Sequence, residues 1–193
     1  MKQQKYPLSL LYIIGGTISL YASFIIMIEK LALYTDPAYV ASCDINPLIS
    51  CGAIMASPEA SVFGFPNPLL GIASFAVVIA LGVAIRAGAK FDRWYWRLIQ
   101  LGMTFAIGFV YWLFYVAVFE IGALCLYCMV VWVLTIPLFL YTTVYNLRER
   151  NLFSALPRKV PGWLTVLTLV IMNLVIFLSI AYRFWDRWLI MLG

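Results

Sequence analysis

The sequence predicts an all-α membrane protein: a four-helix transmembrane bundle plus a fifth transmembrane helix, with its N-terminus inside and its C-terminus outside. Three observations predict it. The 193 residues are 65% apolar and only 11% charged, with a mean hydropathy of +0.98. Soluble domains run at about 45–50% apolar, so this chain has too little polar surface to coat a globule in water. Five stretches approach or exceed the roughly 20 mostly apolar residues that a spanning helix needs. The basic residues are spread unevenly among the segments that join them.

The first stretch runs from about Leu8 to Ile28 and ends at Glu29 and Lys30. Lys2 and Lys5 precede it, as in a signal peptide. Its apolar run is longer than a signal core, however, and no small-residue cleavage pattern follows, so it reads as a retained helix. The second runs from about Pro68 to Ile85, the third from Leu98 to Phe119, the fourth from Leu124 to Tyr145 and the fifth from Trp163 to Tyr182. Gly15, Ser19 and Ser23 form a small-residue face on the first stretch. Gly102 and Ala106 offer another on the third, and both read as helix-packing faces. Pro137 should free a carbonyl one turn back and kink the fourth helix. Residues 1–193 read as a single integral membrane domain.

Charge orients the bundle. With the N-terminus inside, the inner segments hold Lys2, Lys5, Arg86, Lys90, Arg93, Arg97, Arg148, Arg150, Arg158 and Lys159, and the outer ones only Lys30, Arg183 and Arg187. This is a positive-inside pattern. It accounts for a pI near 9.1 by loop charge and calls for no nucleic-acid partner. The C-terminal "RFWDRW" then supplies aromatics to the outer interface.

In this orientation all four cysteines face outward. Cys43 and Cys51 lie in an outer loop of about residues 32–67, and Cys125 and Cys128 open the fourth helix in "ALCLYC". In a bacterium that side of the cytoplasmic membrane is the oxidising periplasm or cell-wall space, and in a eukaryotic cell it is a lumen; disulfides persist there. A C-x-x-C pair there can exchange disulfides, staple the fold or join a four-cysteine zinc site. Haem attachment needs a following His, and Met129 follows instead, in a chain with no His at all. Redox exchange suits the position best. Cys125 at a helix start gains thiolate character from the partial positive charge there. Cys128 lies about 4.5 Å further along the axis, at 1.5 Å per residue. One cysteine thus meets the aqueous edge and the other the membrane edge. Such a dithiol can pass electrons to a lipid-soluble acceptor, and quinones are the abundant two-electron carriers of bilayers. "SCDINPLISCG", with Asn46, Pro47 and Gly52 as turn formers, gives a loop pair able to alternate partners. Asp44 and Glu59 read as solvated loop charges, and Ser57 and Asn67, by pattern alone, as cap and turn residues.

Two loop cysteines, then Ser57, then "FPNPLLG", then a C-x-x-C on the fourth helix: this combination resembles the vitamin K epoxide reductase family, and most closely its bacterial, disulfide-generating members. The likeness runs from "LYASFIIMIEK" through "CDINPLISCGAIMASPEASVFGFPNPLLGI" to "IGALCLYCMVVW". It implies that Cys128 reacts with a quinone (menaquinone or ubiquinone), that Cys125 exchanges with Cys51, and that Cys43 meets a protein partner and pairs with Cys51 in one redox state. It implies that Ser57 supports these cysteines from a small helical turn and that Asn67 hydrogen-bonds a quinone carbonyl. Trp132 stands where the vertebrate pattern has a tyrosine, so it is a candidate quinone contact and a departure from the epoxide-reducing pattern. Many bacterial relatives continue into a thioredoxin-like domain. None is expected within these residues, so the implied electron donor is a separate periplasmic thioredoxin-fold, DsbA-like protein. A DsbB-type scaffold carries the two cysteine pairs in the opposite order. A membrane scaffold with two structural disulfides is the non-enzymatic alternative.

Overall fold

The structure, a computed structural model, describes residues 5–36, 38–150 and 161–185. Lys2, Arg158, Lys159 and Arg187, which orient the chain above, lie outside the described residues, as do the side chains of Lys5 and Arg150 and the 186–188 end of "RFWDRW". Among the described residues there are six α-helices: α1 Lys5–Thr35, α2 Cys51–Ala56, α3 Pro68–Arg86, α4 Arg93–Tyr115, α5 Leu126–Tyr145 and α6 Gly162–Arg183. A 3-10 turn spans Pro58–Ser61, and π-helical turns extend α4 over Val116–Ile121 and α5 over Asn146–Arg150. All but α2 are long and apolar enough to cross a membrane.

The helix ends differ from the hydropathy boundaries for identifiable reasons. α1 does not stop at the charges; it continues through Glu29 and Lys30 to Thr35. Both charges are buried, at 4% and 2% exposure, because the loop supplies them with partners. Lys30 is therefore a helix residue rather than a loop residue. α3 begins at Pro68, where a missing N–H and a fixed φ suit the first helical position. α4 starts five residues earlier than Leu98, at Arg93, since Trp96 is buried against Tyr145 with ring centroids 4.6 Å apart. Pro137 sits inside α5, which stays helical from Leu126 to Tyr145.

α1 packs against α3 and α5, and α5 packs in turn on α4 and α6. One apolar core joins α1, α3, α4 and α5 through Tyr12, Val78, Leu81, Trp96 and Leu138. A second joins α4, α5 and α6 through Phe114, Trp132, Ile136 and Ile180. The small face of α1 is used in packing. Gly15 lies against Leu138 of α5, and Ser23 against Gly71 of α3. The seam brings backbone close to backbone at Gly82, where a Cβ would come within 2.8 Å of Tyr12 Cβ and 3.0 Å of the Ser9 carbonyl oxygen. The face on α4 behaves differently. Nothing lies within 4 Å of a Cβ added to Gly102; Gly102 and Ala106 line a cavity rather than a helix contact. At the end of α5 away from the cysteines, Tyr12 Oη and Thr142 Oγ1 are hydrogen-bonded at 2.6 Å. There too Gln100 donates to Thr143 Oγ1 at 2.9 Å and accepts from Asn146 Nδ2 at 2.8 Å.

Candidate functional site: four cysteines beside an apolar cavity

The loop between α1 and α3 is fixed to the start of α5 by two backbone hydrogen bonds. Leu124 N–H donates to the Leu48 carbonyl at 2.8 Å, and Ser50 N–H to the Leu124 carbonyl at 2.9 Å, which makes Ile49 and Leu124 an isolated parallel bridge. The chain reaches Leu124 by a reversal at Gly122, whose φ of 71° is open to glycine and strained for other residues. From this bridge Cys51 is two residues onward and Cys125 one. Their sulfurs meet at 2.9 Å.

Local capping sharpens the placement. Ser50 caps α2 by accepting from Ala53 N–H at 3.1 Å. Asp44 accepts from Gly52 N–H at 2.9 Å and from Ala41 N–H at 3.3 Å. It approaches so closely that a Cβ at Gly52 would lie 2.6 Å from Oδ2. Asp44 is thus half-buried and structural, not a free loop charge. Cys43 and Cys51 are joined in a disulfide, with Cα atoms 5.6 Å apart, and Cys125 and Cys128 are free thiols. The sulfurs of Cys43, Cys51 and Cys125 all lie within 4.8 Å of one another. In this redox state Cys43 and Cys51 share a bond and supply no thiolate for a metal.

Cys125 occupies the N-cap position of α5, and its sulfur accepts from Cys128 N–H at 3.4 Å. The Cys128 thiol, together with the Cys128 and Tyr127 backbone N–H groups, holds the Cys125 thiol below its ordinary pKa, against burial and the Glu29 carboxylate, which push it up. The fourth cysteine faces elsewhere. Cys128 borders a cavity of about 440 Å³ in which Ser57, Asn67, Leu98, Gly102, Phe109 and Trp132 also take part. Cys43, Cys51 and Cys125 are not among its walls. The cavity lies between α3 and α4, which do not pack on each other as α1 and α3 do.

The residues from 10 to 143 match the family model described as the vitamin K epoxide reductase family. The chain belongs to the vitamin K epoxide reductase family. This is a family of oxidoreductases whose members in general use quinone, and with five apolar helices the chain is a multi-pass membrane protein. The matched region ends within α5, so α6 lies beyond it.

The accessory residues of this family member divide. Ser57 joins α2 to the 3-10 turn, yet its hydroxyl caps neither element. Ser57 Oγ is buried at the cavity with no hydrogen-bond partner. Asn67 also borders the cavity, but its amide is engaged by the loop: Nδ2 donates to the Glu59 carbonyl at 2.7 Å and Oδ1 accepts from Val62 N–H at 3.2 Å. Trp132 is buried, edge-on to Phe114 at 5.2 Å. Sequence reasoning missed two groups. Glu29 and Lys30, neighbours at the end of α1, seize opposite arms of the loop. Glu29 Oε1 accepts from Ser42 N–H at 3.0 Å, while Lys30 Nζ donates to the Ala60 carbonyl at 2.9 Å and to Ser61 Oγ at 2.8 Å. Tyr127, inside the C-x-x-C, shares a hydrogen bond of 3.1 Å with Ser42 Oγ. An acidic–basic pair closing an apolar run is the only sequence signal they give.

Proposed function

We propose that this protein is a thiol:quinone oxidoreductase that supports disulfide formation. Electrons pass from a separate thioredoxin-fold, DsbA-like dithiol through Cys43 and Cys51 to Cys125 and Cys128, and on to a membrane menaquinone or ubiquinone. The sulfur end faces the outer side of a bacterial cytoplasmic membrane, a placement that rests on the bias of basic residues toward the other ends of the helices.

One observation carries the reading: three sulfurs are grouped within 4.8 Å, whereas Cys128 borders the cavity. Cys125 can therefore serve the loop pair while Cys128 serves a ligand. The cavity volume falls in the range of small-molecule sites, about 300–1,000 Å³. Its walls are mostly apolar, and the unpartnered Ser57 hydroxyl is a donor suited to a quinone carbonyl. Ser57 is a better candidate for that bond than Asn67, whose amide is already engaged.

The exchange steps balance. When a partner reduces the loop pair, the Cys51 thiolate attacks Cys125 of a Cys125–Cys128 disulfide and Cys128 leaves as thiolate. Cys43 then attacks Cys51, Cys125 leaves, and the loop disulfide and free Cys125 and Cys128 seen in the structure result. Cys125 and Cys128 return to the disulfide by yielding two electrons and two protons to the quinone, which becomes quinol.

The test is quinone reduction by purified protein supplied with a reduced dithiol. Cys128→Ala lowers turnover about a hundredfold or more, as expected for loss of a reacting group, and leaves the fold intact. Undiminished turnover in that variant refutes the mechanism. Trials with ubiquinone, menaquinone and vitamin K epoxide identify the acceptor.

A further inference from the structure

The three grouped sulfurs are shut away. Cys43 is 3% exposed and Cys51 and Cys125 are 0% exposed, so a thiol on another folded protein cannot reach the loop disulfide in this conformation. What keeps the Cys43 arm down is specific. Ser42, the residue before Cys43, is bound to the helices at two points. Its N–H donates to Glu29 Oε1 on α1 at 3.0 Å. Its hydroxyl bonds to Tyr127 Oη on α5 at 3.1 Å. Asp44 adds a tie of its own, since it accepts from Ala41 N–H within the arm at 3.3 Å and from Gly52 N–H on α2 at 2.9 Å. Glu29 is 4% exposed and its second oxygen, Oε2, has no partner, so the carboxylate has no competing reason to be buried there. Ser42 itself is exposed and Tyr127 half-exposed, which leaves the contact within reach of an incoming protein.

We propose that Ser42, Glu29 and Tyr127 form a latch that holds the Cys43 arm closed over the sulfurs, and that its release admits the thiol of the protein partner. The latch joins the two redox pairs physically, because Tyr127 lies between Cys125 and Cys128 in the chain while Ser42 adjoins Cys43. These are positioning residues that act through Cys43. Once the arm lifts, a partner thiolate attacks the Cys43 sulfur and Cys51 leaves as thiolate. The partner's second thiolate then attacks the mixed disulfide and frees Cys43, so two electrons enter the loop pair and the partner becomes oxidised. The inference rests on the relay reading above, but its test contains no quinone.

The experiment follows reduction of the Cys43–Cys51 disulfide in the full chain, held in lipid nanodiscs, by reduced thioredoxin as the protein dithiol. New thiols are labelled and located by mass spectrometry. Losing one hydrogen bond that favours the closed arm raises the open population about three- to tenfold. Tyr127→Phe and Ser42→Ala each speed reduction by that factor, and Glu29→Ala does the same. Glu29→Gln, which keeps an acceptor oxygen, returns the rate to within about twofold of the parent. Unchanged rates in both Tyr127→Phe and Ser42→Ala overturn the latch. So does a Glu29→Gln rate equal to that of Glu29→Ala, since lost charge rather than a lost acceptor would then be the cause. Tyr127→Phe removes only a half-exposed hydroxyl, so the test stands even where Glu29→Ala does not fold. A chain that passes here but fails to reduce any quinone separates the latch from the relay.

Discussion

The two seams that flank α3 use small residues in opposite ways. Toward α1, Gly71 and Gly82 bring the backbones into contact, with the Ser9 carbonyl oxygen 3.0 Å from where a Gly82 Cβ would stand. Toward α4, Gly102 has nothing within 4 Å, and the gap is the cavity beside Cys128. The same residue type closes one seam and widens the other. A small side chain in a membrane helix permits close approach; whether approach happens depends on the facing helix.

That contrast can be broken from either side. The largest effect comes from the closed seam. Gly82→Val forces α1 and α3 apart at an overpacking cost of about 1–3 kcal/mol, and thermal unfolding in detergent shows a Tm lower by roughly 5 °C or more. An unshifted Tm would mean that the seam has slack. Gly102→Leu on the open side leaves Tm within about 2 °C but intrudes on the cavity. It raises the KM for quinone about three- to tenfold, and a KM equal to the parent's would place the ligand elsewhere.

The smallest effect sharpens the division at the start of α5. Hydrogen bonds from Cys128 depress the Cys125 pKa, so the Cys125 thiolate persists to lower pH than a free thiol of pKa about 8.5. It is lost only as pH falls through the depressed value. In Cys128→Ala, Cys125 can attack Cys51 of the loop disulfide, with Cys43 leaving as thiolate, and form a Cys51–Cys125 disulfide that no Cys128 thiol can resolve. The pH midpoint of that trapping lies higher than the midpoint for Cys125–Cys51 exchange in the parent, because the Cys128 thiol that stabilises the thiolate has gone. A midpoint that does not rise would assign the depression to the helix N-terminus alone.

Much of this was legible in the sequence. Hydropathy located five spans, because burial in lipid demands long apolar runs. Spacing singled out the four cysteines, because exchange needs pairs. What was illegible depended on contacts between distant segments. Glu29 and Lys30 looked like a helix stop and were buried helix residues, since the partners that permit their burial lie at Ser42, Ala60 and Ser61. Ser57 read as a cap, and only the folded loop shows its hydroxyl unpartnered at the cavity. Gly102 and Ala106 matched a packing pattern, but nothing local records that α3 stands away from α4. Tyr127 gave no signal, because its hydroxyl matters only where the loop brings Ser42 above it.

The bridge between Ile49 and Leu124 constrains how the chain can change in length. Because it pins the two segments at one residue pair, the stretch before Ile49 can gain or lose residues without moving the Cys51 and Cys125 sulfurs apart. An insertion of a single residue between Ile49 and Cys51, or between Leu124 and Cys125, would instead turn one sulfur away from the other, as a one-residue slip does in any extended pairing. Length variation among chains built on this plan should therefore gather on the α1 side of the loop and be excluded from the few residues that separate each cysteine from the bridge.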